Sequence, residues 1–171
     1  AVTSPDTPAA PALLTDLYQL TMAYAYWRSG LHDTEACFHL YFRNNPFGGG
    51  YAVACGLAQA VEYLRELRFS AEDTAYLATL PGADSRPLFP AEFLAWLREF
   101  EFAGDVLAVP EGTVVFPNEP LLRVTGPLPH CQLVETALLN IVNFQTLVAT
   151  KASRVCQSAH GEPVIEFGLR R

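Results

Sequence analysis

Basic residues are scarce in this sequence. Its 171 residues carry 11 Lys and Arg against 18 Asp and Glu, a formal charge of −7 with His neutral. So little cation matches poorly with a nucleic-acid backbone or an anionic membrane held by non-specific electrostatics, and neither is expected as a partner. Cysteine is sparse as well. Cys37, Cys55, Cys131 and Cys156 fall at no CxxC or zinc-finger spacing, and a chain of this size needs no disulfide staples. They read as small buried hydrophobes in a reducing compartment. No window approaches the roughly 18 uninterrupted apolar residues of a membrane span. The longest candidate, 133–150, is broken by Glu135, Asn140, Asn143 and Gln145. Residues 1–12 hold Asp6 and three prolines but no basic residue, the wrong composition for a signal peptide. That stretch is expected to be a disordered leader on a cytoplasmic protein.

Common phosphate and metal signatures are missing too. No GxxxxGK[ST] loop is present, and no GxGxxG follows a strand. His32, His39, His130 and His160 have no cysteine, carboxylate or serine at catalytic or metal-ligand spacing. Each reads as a surface or half-buried residue, and no metal site is expected.

What is present is apolar: half the residues are hydrophobic, 12% are aromatic and only 17% are charged. Such a chain buries enough surface to offset its ordering entropy, and its length allows one sizeable domain or two small ones. Thr15 and Asp16 predict the start of a helix that runs to about Ser29 and stops at Gly30. Leu17, Leu20, Tyr24 and Trp27 form its main apolar stripe, while Tyr18, Met22 and Ala25 lie about 100° or more round the axis. A helix apolar on two faces packs on two sides, so Tyr18 is expected to face something other than its own core.

Alternation over 36–42 predicts a strand, with Ala36, Phe38, Leu40 and Phe42 on one face. The glycine-rich loop 43–50 follows, and then a helix from about Tyr51 with Val53, Leu57, Val61 and Leu64 inward. Ser70 to Asp73 reads as a capping box opening a third helix that ends near Pro81 and Gly82. Pro90 starts a fourth, with Phe93, Leu94, Leu97 and Phe100 inward. Short strands are predicted over 106–109, 113–116 and 121–125, then a long helix over 129–159 capped by Gly161. Val164 to Phe167 reads as a buried strand. A lone strand after a long helix would expose an edge, so the chain is expected to be the N-terminal piece of a longer protein.

Three features invite a functional reading beside a structural one. Tyr18 is either core packing or a ring that stacks on a planar ligand. Arg43 is either a solvated strand-end residue or an anion contact, beside glycines that serve as a flexible loop or let a phosphate approach backbone N–H groups. The run Glu166-Phe167-Gly168-Leu169-Arg170-Arg171 places an arginine pair at a strand end, where α/β folds hold ligands and where bidentate anion recognition suits arginine. Together they suggest a flat ring held between aromatics, with phosphates held by arginines.

These residues fall in runs that resemble a known family. Leu14-Thr15-Asp16-Leu17-Tyr18-Gln19-Leu20-Thr21-Met22-Ala23 resembles the opening motif of the nicotinate phosphoribosyltransferases. Tyr41-Phe42-Arg43 with Pro46-Phe47-Gly48-Gly49 resembles their next signature. Gly126-Pro127-Leu128, Glu135-Thr136 with Leu138-Leu139-Asn140, Leu147 to Ala152, and Glu166 to Arg171 continue in order. The resemblance covers nearly the whole chain from Leu13 onward.

The resemblance implies an α/β fold of type II phosphoribosyltransferase architecture. An α+β domain over 13–128, a linking helix over 129–161 and the first strand of an irregular α/β barrel over 162–171 are expected, truncated before the rest of the barrel. It implies formation of nicotinate mononucleotide and pyrophosphate from nicotinate and phosphoribosyl pyrophosphate, coupled to ATP hydrolysis with Mg2+, as the salvage step from the vitamin toward NAD. It also implies a homodimer with shared active sites. Tyr18 would stack on nicotinate across the dimer interface, with Phe167 on the opposite ring face. Arg43 and Arg170 would contact phosphates, with Arg171 a further candidate. The family's phosphorylated histidine lies beyond Arg171, so none of the four histidines inherits that role. Two alternatives stay open: a sister enzyme acting on nicotinamide, and a non-catalytic dimerisation or binding module.

Overall fold

A computed structural model describes residues 11–83 and 85–168. Among them, mixed α and β elements follow the chain as α1 (Leu17–Arg28), β1 (Glu35–Leu40), β2 (Ala52–Val53), α2 (Leu57–Glu66), α3 (Ala71–Ala78) and α4 (Ala91–Arg98), then β3 (Asp105–Ala108), β4 (Val114–Val115), β5 (Leu122–Pro127) and α5 (Leu128–Ser158). β5 is the centre of a three-stranded antiparallel sheet ordered β1-β5-β3, while β2 and β4 form a separate two-stranded ribbon.

The alternation of β1 sets its register. Phe38 stands opposite Val124 and Leu40 opposite Leu122, and on the other side of β5 Val106 and Ala108 meet the same two residues. These side chains share one pleated face, which α5 covers. Helix α5 also packs on α1, α2 and β2. By length and composition it could cross a membrane, yet Cys131, Leu133, Val134, Ala137, Leu138, Ile141 and Val142 along it belong to the core. A second packing centre is aromatic. Phe89 and Phe93 are fully buried beside Tyr24, Trp27 and Trp96, with ring centroids 5.1 to 6.4 Å apart. Burying each such ring stabilises the fold by about 1.5–3 kcal/mol.

Several sequence expectations shift. The leader expected over 1–12 lies outside the described residues as far as residue 10, but Ala12 is buried in the core and the Leu14 N–H closes a turn on the Pro11 carbonyl at 3.0 Å. Asp16 rather than Thr15 is the N-cap of α1, and Leu17 points outward, half exposed. The third helix stops at Ala78, short of Pro81. The helix expected from Tyr51 begins only at Leu57, because three longer-range contacts claim the backbone first. The Val53 N–H donates to Thr150 Oγ1 (2.9 Å), the Cys55 N–H donates to Thr146 Oγ1 (3.2 Å), and Glu111 Oε1 accepts from the N–H groups of Gly56 (2.7 Å) and Ala58 (3.3 Å). Gly56 itself turns at φ +103°, and a Cβ there would lie 3.1 Å from the backbone of Ile141 and Val142. Finally, residues 162–167 form no strand. Val164, Ile165 and Phe167 are exposed, and no described strand pairs with them. An apolar run becomes a strand only where a second strand satisfies its backbone.

Candidate functional site

Helix α1 presents Tyr18 outward, 49% exposed, together with Leu17 and Met22, and Leu14 just before the helix is exposed as well. The residue after it faces the other way. Gln19 is fully buried against α5, and its amide makes three contacts. Its Nε2 donates to Tyr18 Oη (2.8 Å) and Thr136 Oγ1 (3.3 Å), while its Oε1 accepts from Gln132 Nε2. Gln132 Nε2 also reaches Glu135 Oε2 (3.2 Å), and its Oε1 accepts from Tyr26 Oη (3.4 Å). Thr136 Oγ1 donates to Asp16 Oδ2 (3.2 Å). Buried amides of this kind persist because each polar atom has a partner. Partial burial, with the carboxylates of Glu135 and Asp16 nearby, raises the Tyr18 phenol above its usual range. The ring is therefore neutral at physiological pH and open on one side to a planar ligand.

Thr136 also lines a groove of about 330 Å3 between α5 and the end of β1. Its walls include Tyr41, Phe42 and Asn44, the last two being the neighbours of Arg43, and the amides of Asn140 and Asn143. The Tyr18 network and the Arg43 segment thus border one depression. Arg43 is exposed. Beyond it the chain makes a 3-10 turn over Pro46–Gly48. The Arg154 guanidinium lies on that turn, donating to the Pro46 and Tyr51 carbonyls at 3.2 and 3.3 Å. It also occupies the space that a side chain at position 49 would need. The glycine loop is thus packed on a cation of its own chain.

Phe167 is exposed in the 162–167 segment and does not line the groove. Arg170 and Arg171 lie outside the described residues. Among the described residues no three His, Cys, Asp or Glu side chains converge as a metal site. Sequence reasoning missed Gln19, Gln132 and Arg154. A signal existed for the first two, since each interrupts an apolar face: Gln19 lies one turn from Ala23, and Gln132 lies between Cys131 and Leu133.

Residues 13–143 match the nicotinate phosphoribosyltransferase (NAPRTase) N-terminal domain. The chain belongs to that family. It is 48% identical over 160 residues to nicotinate phosphoribosyltransferase pncB2 of Mycobacterium tuberculosis, covering 94% of this chain and 33% of the relative. It is equally similar to nicotinate phosphoribosyltransferase of Bacillus subtilis, at 48% over 160 residues, covering 94% of this chain and 31% of that one. The crystal structure of human nicotinic acid phosphoribosyltransferase superposes with a TM-score of 0.82 at 45% identity, over 93% of this chain and 31% of the human one. The chain therefore spans about a third of the length of the relatives it matches, and the fold is that of the N-terminal part of the enzyme.

Proposed function

We propose that this chain forms the N-terminal third of a nicotinate phosphoribosyltransferase, which joins nicotinate to phosphoribosyl pyrophosphate in NAD biosynthesis. The reading rests on one observation above others: the half-exposed Tyr18 is joined through the Gln19 amide to Thr136, which lines the groove whose walls flank Arg43. The reaction breaks the bond between the ribose anomeric carbon and pyrophosphate and forms a bond from that carbon to the pyridine nitrogen. Positive charge develops on the sugar, and negative charge on the leaving group. A stacking tyrosine orients the ring nitrogen in line, and arginines stabilise the departing phosphates. In this proposal Tyr18 and Arg43 of one protomer serve the active site of its dimer partner, for which their exposure suits them. Phe167 closes the other face of the ring, and Arg170 and Arg171 contact donor phosphates. Coupling to ATP and Mg2+ is placed outside this chain's described residues. A cytoplasmic setting is consistent with four free cysteines.

The test uses the full-length enzyme. Tyr18→Ala is expected to raise the KM for nicotinate about tenfold, the scale of losing one aromatic stacking partner. The wild type should turn over nicotinate in preference to nicotinamide. An unchanged nicotinate KM in a folded variant removes Tyr18 from the site, and preference for the amide overturns the substrate assignment.

A further inference from the structure

We propose that Arg154 is a positioning residue for Arg43: it clamps the loop that follows Arg43 onto α5 and so sets where that guanidinium meets phosphate. This deepens the function proposed above and rests on Arg43 acting there as a phosphate contact.

The clamp is a planar fork whose two terminal nitrogens both donate. Arg154 Nη2 donates to the carbonyls of Pro46 (3.2 Å) and Tyr51 (3.3 Å), and Nη1 donates to that of Phe47 (3.5 Å). The same guanidinium stands 5.6 Å from the centre of the Phe47 ring and 5.5 Å from that of Tyr51. Lys151, one turn earlier, adds its ammonium 5.3 Å from the centre of the Phe47 ring. Lysine lacks the planar fork that spreads these three bonds over separate carbonyls while stacking on the rings.

The held conformation is one the chain would not keep unaided. Phe47 has φ +58°, in the left-handed region that a bulky residue avoids, and Gly48 follows at φ +62°. Strain of this kind persists only where surrounding contacts over-determine it. Arg43 sits just before the clamped turn. On its other side the Phe42 carbonyl accepts from the Asn118 N–H at 2.8 Å. Arg43, Asn44 and Asn45 are therefore a short bridge between an anchor at Phe42 and the Arg154 anchor at Pro46. Releasing the second anchor frees the bridge, although Arg154 is not assigned any contact with substrate.

The experiment uses the full-length enzyme with Arg154→Met, Arg154→Lys, Arg43→Ala and the Arg43→Ala/Arg154→Met double variant. Arg154→Met is expected to raise the KM for phosphoribosyl pyrophosphate about tenfold, the scale of one charge-assisted contact. kcat and the nicotinate KM should stay within about twofold. Hydrogen exchange at the amides of 47–51 should accelerate while that of α1 does not change. Arg154→Lys, which keeps the charge and guards against a misfolded Met variant, should show a smaller rise. The double variant should be no worse than Arg43→Ala alone, because the two residues act through one contact. A donor KM that stays at the wild-type value while the loop amides open overturns the proposal, and so do additive effects in the double variant. A neutral Arg43→Ala instead overturns the phosphate role of Arg43 on which the proposal rests. That result is told apart because it does not depend on loop exchange in the Arg154 variants.

Discussion

Thr150 of α5 and Val53 of β2 are joined by a hydrogen bond in which a helix side chain takes the place of a neighbouring strand. Thr150 Oγ1 accepts the Val53 N–H at 2.9 Å while donating to the Thr146 carbonyl at 2.6 Å, and the threonine is fully buried. Thr146 does the same one turn earlier for Cys55, accepting its N–H and donating to its carbonyl, each at 3.2 Å. The two-residue ribbon β2–β4 is thereby tied to the longest helix. Thr150→Val keeps the shape and removes the acceptor, leaving the Val53 N–H unpaired. It is expected to lower stability by about 1–3 kcal/mol, the cost of one unsatisfied buried donor. Denaturant midpoints would show this, with Thr150→Ser recovering most of the loss. A Val variant as stable as wild type would mean that the ribbon is held by apolar packing alone.

Tyr63 of α2 is buried, and its hydroxyl has no hydrogen-bond partner among the described residues. Burial pushes the phenol up to about 12. Because the folded state prefers the neutral phenol, its contribution is present below the unfolded pKa and is lost as pH rises from about 10 towards 12. Tyr63→Phe is expected to leave stability at neutral pH unchanged or raised by about 1 kcal/mol, since the hydroxyl is buried without compensation. The variant should also lose less stability than wild type above pH 10. Thermal unfolding at neutral and alkaline pH tests both points, and a clear destabilisation at neutral pH would reveal a partner for the hydroxyl.

His130, near the start of α5, is held neutral. Its Nδ1 accepts the Ala103 N–H at 3.0 Å, and its ring lies 4.5 Å from that of Phe100. Burial lowers its pKa, against a smaller opposing pull from Asp33. The unfolded chain therefore takes up a proton near pH 6.5 while the folded chain resists, so stability falls as pH drops below about 6.5. His130→Gln, which keeps an acceptor but does not titrate, should flatten that fall. Urea midpoints from pH 7.5 to 5 would measure it, and parallel curves for both proteins would exclude His130 as the source.

Legibility followed the range of the interactions. The Ser70–Asp73 capping box was readable because its hydrogen bonds close within one turn. Ser70 Oγ accepts the Asp73 N–H at 3.0 Å, and Asp73 Oδ2 accepts the Ser70 N–H at 2.8 Å. The strand at β1 was readable from its alternation, and the outward face of Tyr18 from helical period. The start of α2 was not, because the groups that hold 53–58 in place are Glu111, Thr146 and Thr150, far along the chain. That Gln19 meets Gln132, and that Arg154 clamps the loop, were hidden for the same reason, although each glutamine interrupts an apolar face. Val164 to Phe167 has the composition of a strand, but composition supplies no pairing partner, and the described structure leaves the segment exposed.

From the amino-acid order alone came the family motifs, the two-faced first helix, the strand that leads towards Arg43, although β1 stops at Leu40 rather than Phe42, and the acidic balance. Each depends on neighbours within a turn or a pleat, or on the runs of residues themselves. The tertiary structure decided which residues back them up. Gln19 and Gln132 are 113 positions apart, and Arg154 is 108 positions from Pro46. Side chains so distant meet only after α5 has packed against α1, the sheet and the ribbon. Local periodicity carries no record of that closure, so Tyr18 and Arg43 could be named from sequence while the residues that hold them in place could not.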